Sequence, residues 1–154
     1  SKHLELINFG YNNFNGPIPS TINNLLTLSG VVLRNNRFTG TIPDMSKLTL
    51  LRHLDLANNG LTGTIGNWMK PMATLSVVNL DNNNGLSGPL PELPDSVVRF
   101  QARNAGFTGE IPKSYGELPR LRHFDCTGCK IQCPSSGFFN HLAWSSHCKE
   151  DRKY

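Results

Sequence analysis

The side chains best suited to acid–base chemistry occur in two near copies of one tetrapeptide. Residues 52–55 read Arg-His-Leu-Asp, and residues 122–125 read Arg-His-Phe-Asp. In a strand, alternate side chains share a face, so the histidine and the aspartate of each copy would be neighbours. No nucleophile accompanies them at a recognisable spacing, and duplication of one unit explains the copies. The sequence therefore predicts no catalytic residue and no enzyme. Because imidazole titrates near neutrality, we expect binding at these sites to depend on pH.

The second reactive group of residues is a set of late cysteines. All four lie in the last third of the chain, at Cys126, Cys129, Cys133 and Cys148. Four cysteines allow three pairings, and the sequence does not choose among them. We favour a Cys133–Cys148 disulfide that closes the C-terminal loop, with Cys126 and Cys129 either bridged to each other or left as buried thiols. Disulfides indicate an extracellular or secretory compartment.

These residues belong to a repeated unit, in which apolar residues are followed by asparagine, glycine and Ile-Pro. The six units start 24, 23, 24, 22 and 24 residues apart, at Leu4, Leu28, Leu51, Leu75, Val97 and Leu121. A fixed period in the twenties predicts a solenoid of stacked coils, which usually serves as a binding surface. The alternation in each unit predicts short parallel strands near residues 6–9, 30–33, 53–56, 77–80, 99–102 and 123–126.

Other positions of the unit have distinct expected roles. A regularly spaced asparagine, as in Asn36 and Asn59, should bond backbone groups of its own coil and of the next one. Short 3₁₀ turns are expected over residues 20–27 and 113–119. The fourth unit has an extra residue and the fifth has Ala105 in place of asparagine, so we expect a disturbed ladder near residues 81–105.

A zinc site is the alternative to the disulfides. The Cys126-x₂-Cys129 spacing suits zinc, and His141 and His147 follow downstream. However, Cys126 replaces an inward leucine of the unit and Cys129 replaces its asparagine, which places them at separate points of one coil. We therefore expect no metal, and nothing in the sequence calls for a cofactor.

The unit Leu-x-x-Leu-x-Leu-x-x-Asn-x-Leu-x-Gly-x-Ile-Pro resembles the plant-type leucine-rich repeats. Such repeats occur in ectodomains of receptor-like kinases and receptor-like proteins, in polygalacturonase-inhibiting proteins and in protist surface proteins. The resemblance covers about residues 3–133. It implies an α/β-type solenoid: a right-handed arc with a parallel sheet on its concave side, a second short strand in each coil and irregular turns on its convex side. We expect six repeats in residues 1–132, as a fragment that lacks its N-terminal cap, and a cysteine-containing C-terminal cap in residues 133–154.

Composition narrows the range of partners. The chain has 154 residues and a net charge of +4, all of it from residues 99–154, which carry nine basic and five acidic side chains. Nucleic-acid binding would need a denser basic stripe with interleaved aromatics, so it is not expected. No apolar run reaches the length of a membrane span, no signal peptide is recognisable, and we expect a segment of a longer protein.

The outward side chains of the strands form columns that are mixed, polar and partly aromatic. These columns predict a face that binds a protein, a peptide or a cell-wall polysaccharide. The candidate ligand-binding residues are Tyr11, Arg34, His53, Asp55, Asp81, Arg99, Arg103, His123 and Asp125. The predicted function is an extracellular recognition module. The alternative is a component of a surface coat or filament that self-assembles through its solenoid edges. No Asn-x-Ser/Thr glycosylation site accompanies the 17 asparagines, which favours a bare surface.

Overall fold

The repeated apolar triplets fold as predicted into stacked coils. The computed structural model describes residues 3–132, in which the coils carry twelve short strands and no α-helix. Odd-numbered strands form a parallel sheet of six, which we call the concave sheet. Its strands are β1 (Leu6–Asn8), β3 (Gly30–Val32), β5 (His53–Asp55), β7 (Val77–Asn79), β9 (Arg99–Gln101) and β11 (His123–Asp125). Every strand lies within the range predicted from the sequence, so the solenoid prediction is confirmed.

Even-numbered strands lie on the flank of the coils. Four of them pair in one parallel sheet: β2 (Asn15–Pro17), β4 (Arg37–Gly40), β6 (Gly60–Gly63) and β8 (Gly85–Leu86). The remaining two, β10 (Thr108–Glu110) and β12 (Lys130–Gln132), pair separately. The flank ladder is therefore interrupted between the fourth and fifth coils, while β7 and β9 of the concave sheet stay paired in register. The predicted disturbance near residues 81–105 is confirmed on the flank and wrong for the concave sheet.

The interruption has a local cause. In earlier coils the turn asparagine accepts a hydrogen bond from a backbone N–H of the preceding coil, as Asn83 Oδ1 does from Leu61. Ala105 cannot accept such a bond, and the Leu86 N–H donates to the Asn83 carbonyl within its own coil instead, at 3.1 Å. Glycine is required at position 106, because a Cβ atom there would lie 2.0 Å from the Leu86 carbonyl oxygen.

The core is a column of side chains between the two sheets and the convex turns. Leu54 and Leu56 are wholly buried, as the alternation predicted. Two 3₁₀ helices, Ser20–Asn24 and Lys113–Glu117, cover the convex side. In the second of these, Tyr115 packs its ring edge-on to Phe124, and its hydroxyl donates a 2.6 Å hydrogen bond to the Pro91 carbonyl. Burial raises the pKa of Tyr115 well above its usual value.

The turn asparagines join consecutive coils. The Asn59 amide nitrogen donates to the Leu33 carbonyl of the preceding coil at 3.0 Å and to the Leu56 carbonyl of its own coil at 3.1 Å. Its Oδ1 accepts from the Phe38 N–H. The predicted bonding within and between coils is therefore present, but the neighbour is the preceding coil rather than the next.

Two predictions concern residues 133–154. The predicted cap of residues 133–154 and the favoured Cys133–Cys148 disulfide lie outside the described residues, so both stay predictions. Within residues 3–132, no helix is both long enough and apolar enough to cross a membrane.

Candidate functional site

The concave sheet places eight of the nine candidate residues on or beside its strands, and it aligns them in rows. His53 pairs in register with Val77, Val77 pairs with Arg99, and Arg99 pairs with His123. These four positions therefore form one row across neighbouring strands. Tyr11 lies beyond β1 at the first coil.

Asp55 is directed outward, as predicted, but it is not solvated. Its exposed fraction is only 5%. One carboxylate oxygen accepts a 3.1 Å hydrogen bond from Arg34 Nη1, and the other accepts from the Ala57 N–H at 3.1 Å. Asp55 and Arg34 therefore form an ion pair between adjacent coils.

Asp81 and Arg103 form a second ion pair, which spans the fourth and fifth coils. Asp81 Oδ2 accepts from Arg103 Nε at 3.0 Å and from Nη2 at 2.9 Å, and Asp81 Oδ1 accepts from the Arg103 backbone N–H at 2.7 Å. The hydrogen bond to Asp81 raises the pKa of the Arg103 guanidinium. Asp81 is 4% exposed, so its outward position on the sheet does not leave it in contact with solvent. The pair joins the coils at the level where the flank ladder is interrupted.

Asp125 belongs to a column of side chains that accept a backbone hydrogen bond just after their strand ends. Its Oδ1 accepts from the Thr127 N–H at 2.9 Å and from the Thr127 hydroxyl at 2.6 Å. Asn8 and Asn79 likewise accept from the N–H two residues further on. These are Asx turns, which reverse the chain after a strand. Both aspartates of the His-x-Asp copies thus have other partners, and within residues 3–132 neither bonds its histidine.

Four candidate residues remain accessible on or beside this face. Tyr11 is 73% exposed, and Arg34 Cζ lies 6.0 Å from its ring centroid. His53 and Arg99 are exposed, and His123 is half-buried. Among the described residues, none of the last three has an ion pair or a side-chain hydrogen bond. Of the candidate residues on the strands, these three have side chains without a partner and are therefore available to a ligand.

The sequence analysis missed a ladder of side-chain amides. Asn58 donates to Asn35 at 3.1 Å, Asn82 donates to Asn58 at 2.7 Å, and Asn104 donates to Asn82 at 2.9 Å. All four residues have a positive φ near 57°, between 56° and 58°. Asparagine tolerates this left-handed conformation better than most residues. The signal was the doubled asparagine at residues 35–36, 58–59 and 82–83, because in these three pairs the first residue forms the ladder and the second bonds backbone.

The described cysteines form one disulfide. Cys126 and Cys129 are joined, with their Cα atoms 5.4 Å apart, at the start of the sixth turn. Within residues 3–132, no group of three histidine, cysteine, aspartate or glutamate side chains converges on a point where a metal would bind. Cys126 is buried in the core, and the Cys129 sulfur lies 3.1 Å from the Ala102 carbonyl oxygen.

Comparisons with known proteins agree with this architecture. The Leucine Rich Repeat family profile matches residues 3–25 and 50–72. Receptor like protein 22 of Arabidopsis thaliana is 39% identical over 98 residues, which cover 62% of this chain and 13% of that protein. The chain thus spans only a small part of this curated relative's length.

Solved structures of plant receptors share the fold. The ectodomain of the Arabidopsis receptor kinase HAESA, in complex with an IDA peptide hormone, superposes with a TM-score of 0.82 and 28% identity; the match covers 97% of this chain and 29% of that chain. The plant peptide hormone receptor RGFR1, in complex with RGF2, gives a TM-score of 0.76 and 28% identity; that match covers 82% of this chain and 21% of the receptor chain.

Proposed function

Because the chain is a leucine-rich repeat protein similar to plant receptor ectodomains, we propose that it is a non-catalytic, extracellular module that binds a peptide or protein on its concave sheet. The observation that carries this proposal is the unbroken sheet of six strands, on which His53, Arg99 and His123 have no partner among the described residues. The peptide complexes of HAESA and RGFR1 support a peptide as the ligand. Nothing in the proposal requires a cofactor.

The dimensions of the sheet suit an extended peptide. Strands of a sheet lie about 4.8 Å apart, so six strands span about 24 Å. An extended chain advances about 3.3 Å per residue, so a segment of about seven residues would cross the whole sheet. A peptide lying across the strands would meet one outward residue from each coil. Specificity would therefore be encoded by rows of the sheet rather than by one pocket.

The proposal is tested by blocking the sheet. Binders are selected from a random peptide library against the wild-type protein and then measured against Gln101→Trp. Gln101 is outward, half-buried and not part of an Asx turn, so a bulky replacement would block the face without removing a structural bond. The matched control is Glu117→Trp on the convex 3₁₀ helix. We expect Gln101→Trp to weaken selected binders at least about tenfold, or 1.4 kcal/mol. Equal affinity for both variants would mean that the ligand binds elsewhere.

The alternative function, assembly through a solenoid edge, has one observation in its favour. The first coil exposes Phe9 and Phe14, which are 48% and 47% exposed and line a largely apolar hollow of about 560 Å³. A contiguous apolar patch of this kind marks an interaction surface. Under this alternative, sedimentation would show a mass that grows with concentration, and Phe9→Ser would abolish the growth. Leu50→Ser, at an exposed leucine of the second coil, is the control.

A further inference from the structure

Four outward positions of the concave sheet make a row whose cations form no ion pair among residues 3–132. We call His53, Val77, Arg99 and His123 the cationic row, since β5, β7, β9 and β11 bring them side by side in register. Adjacent members are about 4.8 Å apart at the backbone. Arg52 and Arg122 precede the two histidines and are exposed.

The acidic groups near this row are already engaged. Beside His53 lie Gly30 of β3 and Val77 of β7, and the only acid on its own strand, Asp55, is paired with Arg34. Both neighbours of His53 are therefore uncharged.

At the other end of the row, His123 lies beside Arg99. The acid on its own strand, Asp125, accepts both hydrogen bonds from Thr127, and the diagonal neighbour Gln101 is neutral. Arg103, which follows β9, is paired with Asp81. Thr127 is a neutral donor, so Asp125 keeps its negative charge, but among residues 3–132 no acid forms an ion pair with Arg99, His53 or His123.

We propose that the cationic row binds an acidic peptide segment, with carboxylates at Arg99 and at the flanking histidines, and that this binding strengthens as the pH falls below neutrality. This inference rests on the proposed function, because it specifies the chemistry of a ligand on the same sheet. With both imidazoles protonated, the row would carry three positive charges instead of the one fixed charge of Arg99.

The spacing of the row also indicates which acidic segment fits. His53 and Arg99 are two strand spacings apart, or about 9.6 Å. A polyproline II segment advances about 3.1 Å per residue and repeats every third residue, so acids three positions apart lie about 9.3 Å apart on one side. Two such carboxylates would reach His53 and Arg99 together, and Val77 between them would contact the apolar part of the peptide.

The probe is a rhodamine-labelled peptide of repeated Asp-Pro-Pro, and its control is the same peptide with Asn in place of Asp. Affinities are measured by fluorescence anisotropy at low salt, at about pH 5.5 and about pH 7.5, on either side of the histidine titration. An exposed ion pair is worth up to about fivefold in affinity. We expect the Asp peptide to bind about tenfold more tightly at the lower pH. Arg99→Gln should weaken it about fivefold at both values, and His53→Gln with His123→Gln should abolish the pH dependence.

The matched control variant is Arg37→Gln, which removes an exposed arginine from the flank sheet. The inference is overturned if the Asn peptide binds as tightly as the Asp peptide, if Arg37→Gln weakens binding as much as Arg99→Gln, or if the Asp peptide binds at neither pH. The proposed function would survive such a result if library-selected, non-acidic peptides still lost affinity with Gln101→Trp. Failure of every selected peptide to depend on Gln101 would instead end the proposed function.

Discussion

Truncating Arg103 tests whether the Asp81–Arg103 pair supports the fold. The Arg103 side chain is 52% exposed, whereas that of Asp81 is 5% exposed. An exposed pair contributes less than about 1 kcal/mol, and removing one partner of a buried pair costs about 3–5 kcal/mol. After Arg103→Ala, Asp81 keeps the backbone N–H at 2.7 Å but loses both guanidinium contacts. We therefore expect a loss of about 1.5 kcal/mol, which is about 3–6 °C in Tm for a chain of this size.

The assay is thermal unfolding of Arg103→Ala beside Arg99→Ala, which removes the same side chain from an exposed position without a partner among residues 3–132. Arg99→Ala should cost less than about 0.5 kcal/mol. In an Asp81→Asn background, the Arg103→Ala truncation should also become nearly neutral, because no buried charge is left behind. Equal shifts for the two arginine variants, or an equal cost in both backgrounds, would refute the argument that the pair is structural.

Three further outcomes are expected. Tyr115→Phe should cost about 1 kcal/mol at neutral pH through the lost hydrogen bond. Because the folded-state pKa of Tyr115 is raised, the wild type should lose stability as pH rises above about 10, and the variant should lose less in a pH-dependent unfolding series. Asn83→Ala should cost about 3 kcal/mol in denaturant unfolding, since it removes three donated bonds and one accepted bond, whereas Asn84→Ala, at an exposed neighbour, should cost less than about 0.5 kcal/mol. In a non-reducing tryptic map, peptides 123–130 and 131–149 should each be two hydrogens lighter than when reduced, as internal disulfides require; a cross-linked pair of peptides would contradict the favoured pairing.

The sequence predicts the features that recur from coil to coil, because each coil has to bury the same apolar positions and form the same turn. The strands follow from alternating apolar residues, and the turn asparagine is fixed by its distance from the strand. Asn59 illustrates this, since its amide bonds the carbonyls of two coils at the predicted position. Even the departure at Ala105 is readable, because alanine lacks the amide that the position requires.

The pairing of outward charges could not be predicted in the same way. Asp55 lies in the column that the register directs outward, yet it is buried by an arginine from the preceding coil. Asp81 is instead covered by an arginine from the following coil. The strand period fixes the direction of a side chain but not the reach of a long arginine across to a neighbouring coil. For this reason the sequence placed these side chains on the concave sheet but did not show which of their charges are paired.

The interrupted flank ladder has a mechanical consequence. Between the fourth and fifth coils, the flank contributes the hydrogen bond from Thr108 to Gly88 at 2.9 Å, while β7 and β9 remain fully laddered on the other side. Resistance to opening at this junction is thus lower on the flank than on the concave sheet. Flexing there would open the flank and change the curvature seen by Val77 and Arg99. A ligand that contacts both coils on the concave sheet would restrict this bending. Amide hydrogen exchange at Thr108, on the flank, would then become slower.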